Sequence, residues 1–185
     1  MVIPWLEVGV QTVVRSEEVA EFPASAWTHD PSSRLLVGVV SGPWEFAGFF
    51  SAGPVWPTTH EAEEFYLGPG WELIPGGRGA VRIPVGPVTL RPSLALGSSL
   101  RTLSELDEYD WRNDQGAPVR HMSGLRGAVG AELLVPASAA TWLRVGVEGS
   151  WTTLDKRPQL ALGFGVGASL SASAARSAAP ALPAP

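Results

Sequence analysis

Gln159-Leu-Ala-Leu-Gly-Phe-Gly-Val-Gly-Ala-Ser-Leu170 is the stretch that decides the fold. Leu160, Leu162, Phe164, Val166, Ala168 and Leu170 alternate with Gln159, Ala161, Gly163, Gly165, Gly167 and Ser169. Side chains two apart share a face of an extended chain, so this is a strand with one greasy face and one face of small residues. The segment before it repeats the pattern: Leu143, Val145, Val147 and Trp151 lie on one side, Arg144, Gly146, Glu148 and Ser150 on the other. Helical spacing fits neither run. Upstream, Leu90, Leu94, Leu96 and Leu100 alternate with Arg91, Ser93, Ala95, Gly97 and Arg101, and Leu6, Val8 and Val10 alternate with Glu7, Gly9 and Gln11.

Turn residues divide the chain into eight expected strands, near 4–14, 34–41, 44–53, 63–85, 88–102, 120–134, 140–153 and 159–170. Gly42-Pro43, Gly86-Pro87 and Val135-Pro136-Ala137-Ser138 are short connections, whereas 15–33, 54–62 and 103–119 read as long polar loops, with a shorter turn from Leu154 to Pro158. One end is trimmed and the other loopy, and an even strand count places both termini at the trimmed end. The stretch 63–85 would span roughly 75 Å at ~3.3 Å per residue. Its apolar parity runs from Phe65, Leu67, Trp71 and Leu73 on to Val81, Ile83 and Val85, so it reads as one strand with a bulge, or an extension beyond the membrane, at Gly76 to Gly79.

Composition bounds the alternatives. The 185 residues and 19.5 kDa suit one folded unit, expected over 1–170, with the Ala/Ser/Pro-rich 171–185 as a disordered tail. Net charge is −5 and the basic residues form no stripe, which argues against nucleic acid as a partner. Cysteine is absent, excluding disulfides and thiolate metal sites. No window of about 20 residues is apolar enough for a transmembrane helix, and Met1-Val-Ile-Pro-Trp-Leu-Glu-Val lacks the features of a signal peptide.

A soluble barrel would show the same alternation, so the second face must decide. In water that face is rich in Lys, Glu, Thr and Asp; here it is mostly Gly, Ala and Ser with one or two charges per strand. Such a face suits a narrow lumen, because an eight-strand interior is just wide enough for side chains to fill. The few long residues on it balance in sign. Nearest the short turns, Glu7, Glu45 and Glu132 oppose Arg82, Arg91 and Arg144, with Glu72, Glu148 and Arg126 further along. Buried charges persist when paired and hydrogen-bonded, and Arg offers a planar fork that fits carboxylates. The only lysine, Lys156, falls in a loop-end turn, so every expected lumen cation is Arg. The expectation is a salt-bridged plug. Trp44, Trp71 and Trp151 have the parity and placement of interfacial aromatic residues, while Trp5 and Trp142 have lumen parity.

The chain resembles small eight-stranded outer-membrane barrels of the OmpA/OmpX type, most closely through Arg82-Ile-Pro-Val-Gly-Pro-Val-Thr-Leu-Arg-Pro-Ser-Leu-Ala-Leu-Gly97 and Gln159 to Leu170, and as a pattern over residues 4 to 170. The resemblance implies an all-β, antiparallel up-and-down transmembrane barrel in the bacterial outer membrane of a Gram-negative cell. It would have short periplasmic turns, longer external loops, and a mainly structural or surface-interaction role. It further implies outer-membrane lipid and the barrel-assembly machinery as partners, no cofactor, and an external loop ligand of unspecified kind. Barrels of this type usually end on an aromatic residue read by that machinery; here Phe164 is followed by Ala168, Ser169 and Leu170, and the tail resembles a linker to a periplasmic domain.

Two other functions fit parts of the sequence. A soluble lipocalin-like barrel binding an apolar ligand requires Leu143, Val145, Leu160 and Leu162 to point inward. A lipid hydrolase would use His121 and Ser123, a His-x-Ser pair that resembles outer-membrane lipid A deacylases of the PagL kind. Gly124 stands where that family has Asn, and Glu132 lies roughly 30 Å along the same strand, too far to orient His121. Glu61 and Glu63 are the other candidate carboxylates. His29, His60 and His121 fall in or beside expected loops without metal-ligand spacing, and Glu105, Asp107, Glu108, Asp110 and Asp114 lack the calcium-loop pattern, so no metal is expected and 103–119 reads as an acidic, mobile loop.

Overall fold

A computed structural model describes residues 2–18, 25–55, 67–105, 119–154 and 158–170, with the backbone alone for 15–18, 25–29, 67–69 and 105. Residues 56–62 of the expected loop 54–62, 63–66 of the expected strand 63–85, 106–118 of the expected loop 103–119, with His60, Glu61, Glu63, Lys156 and the tail 171–185, lie outside the described residues, while 54–55, 103–105 and 119 belong to strands.

The elements are β1 (Val2–Glu18), β2 (Ser25–Ser41), β3 (Trp44–Val55), β4 (Leu67–Val81), β5 (Ile83–Val85), β6 (Val88–Glu105), β7 (Val119–Pro136), β8 (Thr141–Thr152) and β9 (Gln159–Ser169). Consecutive elements pair antiparallel, except β4 with β5. β1 also pairs with β9, through Trp5 opposite Ser169 to Val14 opposite Leu160, and β4 pairs with β6, so the sheet closes on itself. β4 and β5 occupy one position in the ring. Ala80 faces Ser93 and Ile83 faces Leu90 in the same register, so the barrel has eight strands.

The interruption in that strand differs from expectation. Gly76 to Ala80 face Gly97 to Ser93 without a bulge; the pairing lapses instead around Arg82, and a register shift falls between Leu67 and Gly70. Held between β3 and β6, the glycines gain ladder bonds on both edges, which offsets their poor strand propensity. At Arg82 the register brings Pro92 opposite Val81, and Pro92 has no N–H to give. Arg82 N turns away and donates to Pro43 O of the β2–β3 turn at 2.7 Å.

The expected loop 15–33 is largely strand: β1 and β2 pair from Val2 opposite Ser41 out to Glu18 opposite Ser25. β6 and β7 likewise run to 18 residues each, while β8 has 12 and β9 has 11. A strand that crosses a bilayer needs about 9–11 tilted residues, and the longer strands exceed that length at the loop end. At the trimmed end, Gly42 (φ 58°) and Gly86 (φ 60°) each precede a proline in two-residue turns. A positive φ followed by the fixed negative φ of proline is the II′ hairpin geometry, which matches the strand twist.

Alternation sorts the side chains without ambiguity. Val8, Val10, Val37, Leu94, Leu96, Val145, Leu162 and Phe164 are exposed on the outside. Glu7, Gln11, Leu36, Phe49, Arg91, Arg144 and Ala161 are buried inside. Leu143, Val145, Leu160 and Leu162, which a lumenal apolar ligand would need inside, all point outward. The lipocalin-like reading is therefore overturned.

Candidate functional site

Among the described residues the lumen is the one place where charged side chains converge, and small residues of neighbouring strands make the room. Arg144 on β8 reaches across β9 to β1. A Cβ on Gly163 would stand 3.0 Å from its Nη1, one on Gly165 3.1 Å from its Nε, and one on Gly9 2.8 Å from its Nη2. Only glycine lets the guanidinium lie against the barrel wall, where Nη2 donates to Phe164 O at 3.2 Å. The glycines of the alternating Gln159–Leu170 stretch thus form a berth for an arginine of the adjacent strand.

The layer near the short turns centres on Arg91, which is wholly buried. Its Nη2 donates to Glu7 Oε2 at 2.8 Å, Nη1 to Glu45 Oε1 at 3.1 Å and Nε to Glu132 Oε2 at 2.6 Å, so three strands converge on one guanidinium. Arg82 Nε donates to Glu45 Oε2 at 2.7 Å. Arg144 Nε lies 2.7 Å from Glu7 Oε1 as an ion pair, and its Nη1 donates to Glu132 Oε1 at 3.1 Å. The three acids and three arginines singled out from parity all meet here. Arg78, which also donates to Glu132, was not anticipated.

Farther toward the loops, Arg34 Nη1 donates to Glu148 Oε2 at 2.7 Å and to Gln11 Oε1 at 3.1 Å, and Arg126 Nη2 reaches Glu148 Oε1 at 3.3 Å. Glu72 accepts from Arg101 Nε at 2.9 Å and from Ser99 Oγ. Glu72, Arg126 and Glu148 therefore lie in the lumen but in ion pairs separate from the Arg91 layer. Arg34 and Arg101, not among the lumen charges expected from parity, are the partners of Glu148 and Glu72.

Apolar groups pack at both ends of this charged column. Trp5 and Trp142 meet edge to face, with centroids 6.2 Å apart and planes at 64°. Arg91 lies over the Trp5 ring, and Arg82 over Trp142, at 5.6 and 5.1 Å from the centroids, a favourable placement for a cation on an aromatic face. Trp142 Nε1 also donates to Glu7 Oε2 at 3.2 Å. Toward the loops, buried Val55 and Leu103 pack with Met122.

On the outer surface, Trp44, Trp71 and Trp151 are all more than half exposed. Trp151 covers the backbone of its cross-strand partner Gly127, where a Cβ would stand 2.2 Å from the ring. His121 and Ser123 share the outer face of β7, and His121 Nδ1 lies 3.1 Å from Thr102 Oγ1 on β6, so the neighbour found for the histidine is a hydroxyl. No group of three or more potential metal ligands occurs among the described residues.

This closed eight-strand ring recurs in solved structures. Neisserial surface protein A superposes with a TM-score of 0.60 at 14% identity, covering 89% of this chain and 96% of that one. The fold is that of the small outer-membrane barrels. Ail, the attachment invasion locus protein of Yersinia pestis, is similar at a TM-score of 0.57 and 16% identity, over 90% of this chain and 97% of its own. A major outer membrane protein from Thermus thermophilus gives 0.50 at 10% identity, over 89% and 98%. No protein-family model matches the sequence, and no curated protein matches it.

Proposed function

We propose that this chain is a non-enzymatic outer-membrane barrel, occluded by its arginine–glutamate column, that displays its strand extensions and loops at the cell surface in a structural or surface-interaction role. The observation that carries this reading is the pairing of an unbroken outward apolar face with a ring that has no free edge along its length. In water such a face would aggregate; in hydrocarbon it is matched, and closure leaves no backbone group unsatisfied. Outer-membrane lipid and the barrel-assembly machinery are the partners that follow from it.

Packing at both ends supports the occluded reading. Trp5, Trp142 and the Arg91 layer fill the trimmed end, and Val55, Leu103 and Met122 fill the other, so the lumen resembles a protein core more than a channel. Among the described residues the hydrogen-bond neighbour of His121 is the Thr102 hydroxyl, which supports a non-catalytic role, since a hydrolase needs a group that orients and stabilises the base.

The test combines location with state. Membrane fractionation followed by gel electrophoresis with and without boiling should place the protein in the outer-membrane fraction as a heat-modifiable band. Recovery in a soluble fraction, with one mobility under both conditions, would reject the reading. Purified protein should show no steady conductance in planar bilayers and no lipid-ester hydrolysis; hydrolysis that Ser123→Ala or His121→Ala abolishes would replace it with the enzymatic one.

A further inference from the structure

Most strand glycines of this barrel are accounted for by what a Cβ would strike: Arg144 lies against Gly9, Gly163 and Gly165, and the Phe49 ring lies against Gly76. Three others are not. Gly48, Gly77 and Gly79 have outward parity, and an added Cβ would meet nothing within 4 Å at Gly77 and a single atom at 4.0 Å at each of the other two. Glycine weakens the interior of a strand, so a cluster of it on the outer surface runs against propensity unless another body approaches the backbone there.

Register brings the three together and sets a ridge beside them. Gly48 pairs with Gly77 and Gly77 with Leu96; one level nearer the short turns, Phe46 pairs with Gly79 and Gly79 with Leu94. With no side chain at 77 or 79 to flank them, Leu96 and Leu94 stand 73% and 66% exposed. On the far side of the glycines, Val37 lies opposite Gly48 and Val39 opposite Phe46. The result is an open hollow of about 830 Å³ over β3 and β4, walled by the valines of β2 on one side and the leucines of β6 on the other.

We propose that this face is the interface of a homodimer, in which the Leu94–Leu96 ridge of each barrel lies in the glycine hollow of a second copy. The proposal rests on the reading of the chain as an outer-membrane barrel. A lipid chain would fill only the hollow, whereas a two-fold axis along the membrane normal sets ridge against hollow twice over and keeps both barrels oriented alike. In hydrocarbon, association comes from close packing, and small residues that let two backbones approach are its usual seat. The exposed parts of Val37, Val39, Phe46, Leu94 and Leu96, with the glycines, come to roughly 600 Å² per copy, so that two copies together exceed the roughly 1,000 Å² of a specific interface.

The chain has no cysteine, so Ala139→Cys, exposed in the β7–β8 turn and away from the patch, gives one site for a donor or an acceptor dye. Full chains carrying either dye, inserted together in phosphatidylcholine vesicles, should show energy transfer above the level of randomly placed barrels, declining as lipid is added. Gly77→Leu, which fills the hollow, and Leu96→Ala, which removes the ridge, should each weaken association by about tenfold or more. Leu162→Ala on β9, across the barrel from β4, should leave it unchanged. Transfer at the random level among barrels that are inserted and heat-modifiable would leave the hollow to lipid and overturn the dimer alone. Transfer that neither Gly77→Leu nor Leu96→Ala reduces would assign association to another face and overturn it as well. Protein that does not insert would overturn the dimer together with the membrane reading.

Discussion

Arg144 lies against Gly163, with its Nη1 3.0 Å from the place a Cβ would take, and from that berth it reaches both Glu7 and Glu132. A side chain at 163 competes with the guanidinium for one volume. Gly163→Val should therefore destabilise the barrel by about 3 kcal/mol or more, through overpacking and two strained ion pairs. Gly77→Ala, on the outer face with nothing within 4 Å of its Cβ, should change stability by no more than about 0.5 kcal/mol. Reversible urea unfolding in detergent, followed by tryptophan fluorescence, measures both.

Arg91 joins three carboxylates that no other single residue joins. Arg91→Met should cost about 3–5 kcal/mol by leaving buried negative charge short of its partner. Replacing Arg91 together with Glu7, as Met and Gln, should cost less than the Arg91→Met change alone. Arg82, which is partly exposed and holds one carboxylate, should cost about 1 kcal/mol or less as Arg82→Gln. A reversed order, Arg82 above Arg91, would contradict the hub.

Trp151 shields the Gly127 backbone on the outer surface. Trp151→Ala should lower stability by about 1–2 kcal/mol, since it removes both the ring and the cover over a glycine in the ladder. The double change Trp151→Ala with Gly127→Val should recover part of that loss, as a β-branched side chain then occupies the uncovered strand position. No recovery would mean that the ring acts through lipid contact alone.

Much of this was legible in the sequence, and the reasons differ by region. Where one face meets apolar surroundings and the other meets a lumen, alternation is forced, so β8 and β9 could be placed almost to the residue from Leu143 to Ser169. Parity alone also put Glu7, Glu45 and Glu132 in one layer with Arg82, Arg91 and Arg144. The stretch 15–33 reads as a loop because its sequence is polar at both parities. Thr28, Ser32, Ser33 and Glu17 then carry no alternation although their backbones pair in full. Arg34 was missed because it fell at that misplaced boundary. Arg78 was missed because Pro75, Gly76 and Gly77 disguised a paired strand as a break. Glycine next to long side chains is the signal that exposes the berths: Gly165 lies opposite Arg144, with Gly163 two residues along the same face, and Gly146 lies opposite Glu132.

The outward face sets the cost of charge on it. Leu162→Arg, which places a guanidinium among Val145, Val147 and Phe164, should destabilise the barrel in phospholipid bilayers by about 2–4 kcal/mol if it sits near the bilayer midplane. Val85→Arg, at the turn beside Gly86, should cost about 1 kcal/mol or less for a residue at the interface. Equal costs at the two positions would mean that no depth-dependent lipid environment surrounds the barrel.

Spin labels at Val147 and Phe164, with a third at Ala161 on the lumen side, test the orientation most directly. In phospholipid vesicles the first two should collide freely with dissolved oxygen and hardly at all with a water-soluble nickel chelate, while the label at Ala161 is shielded from both. Labels at Val147 and Phe164 that met the chelate, or were shielded from oxygen, would contradict an apolar face turned toward lipid.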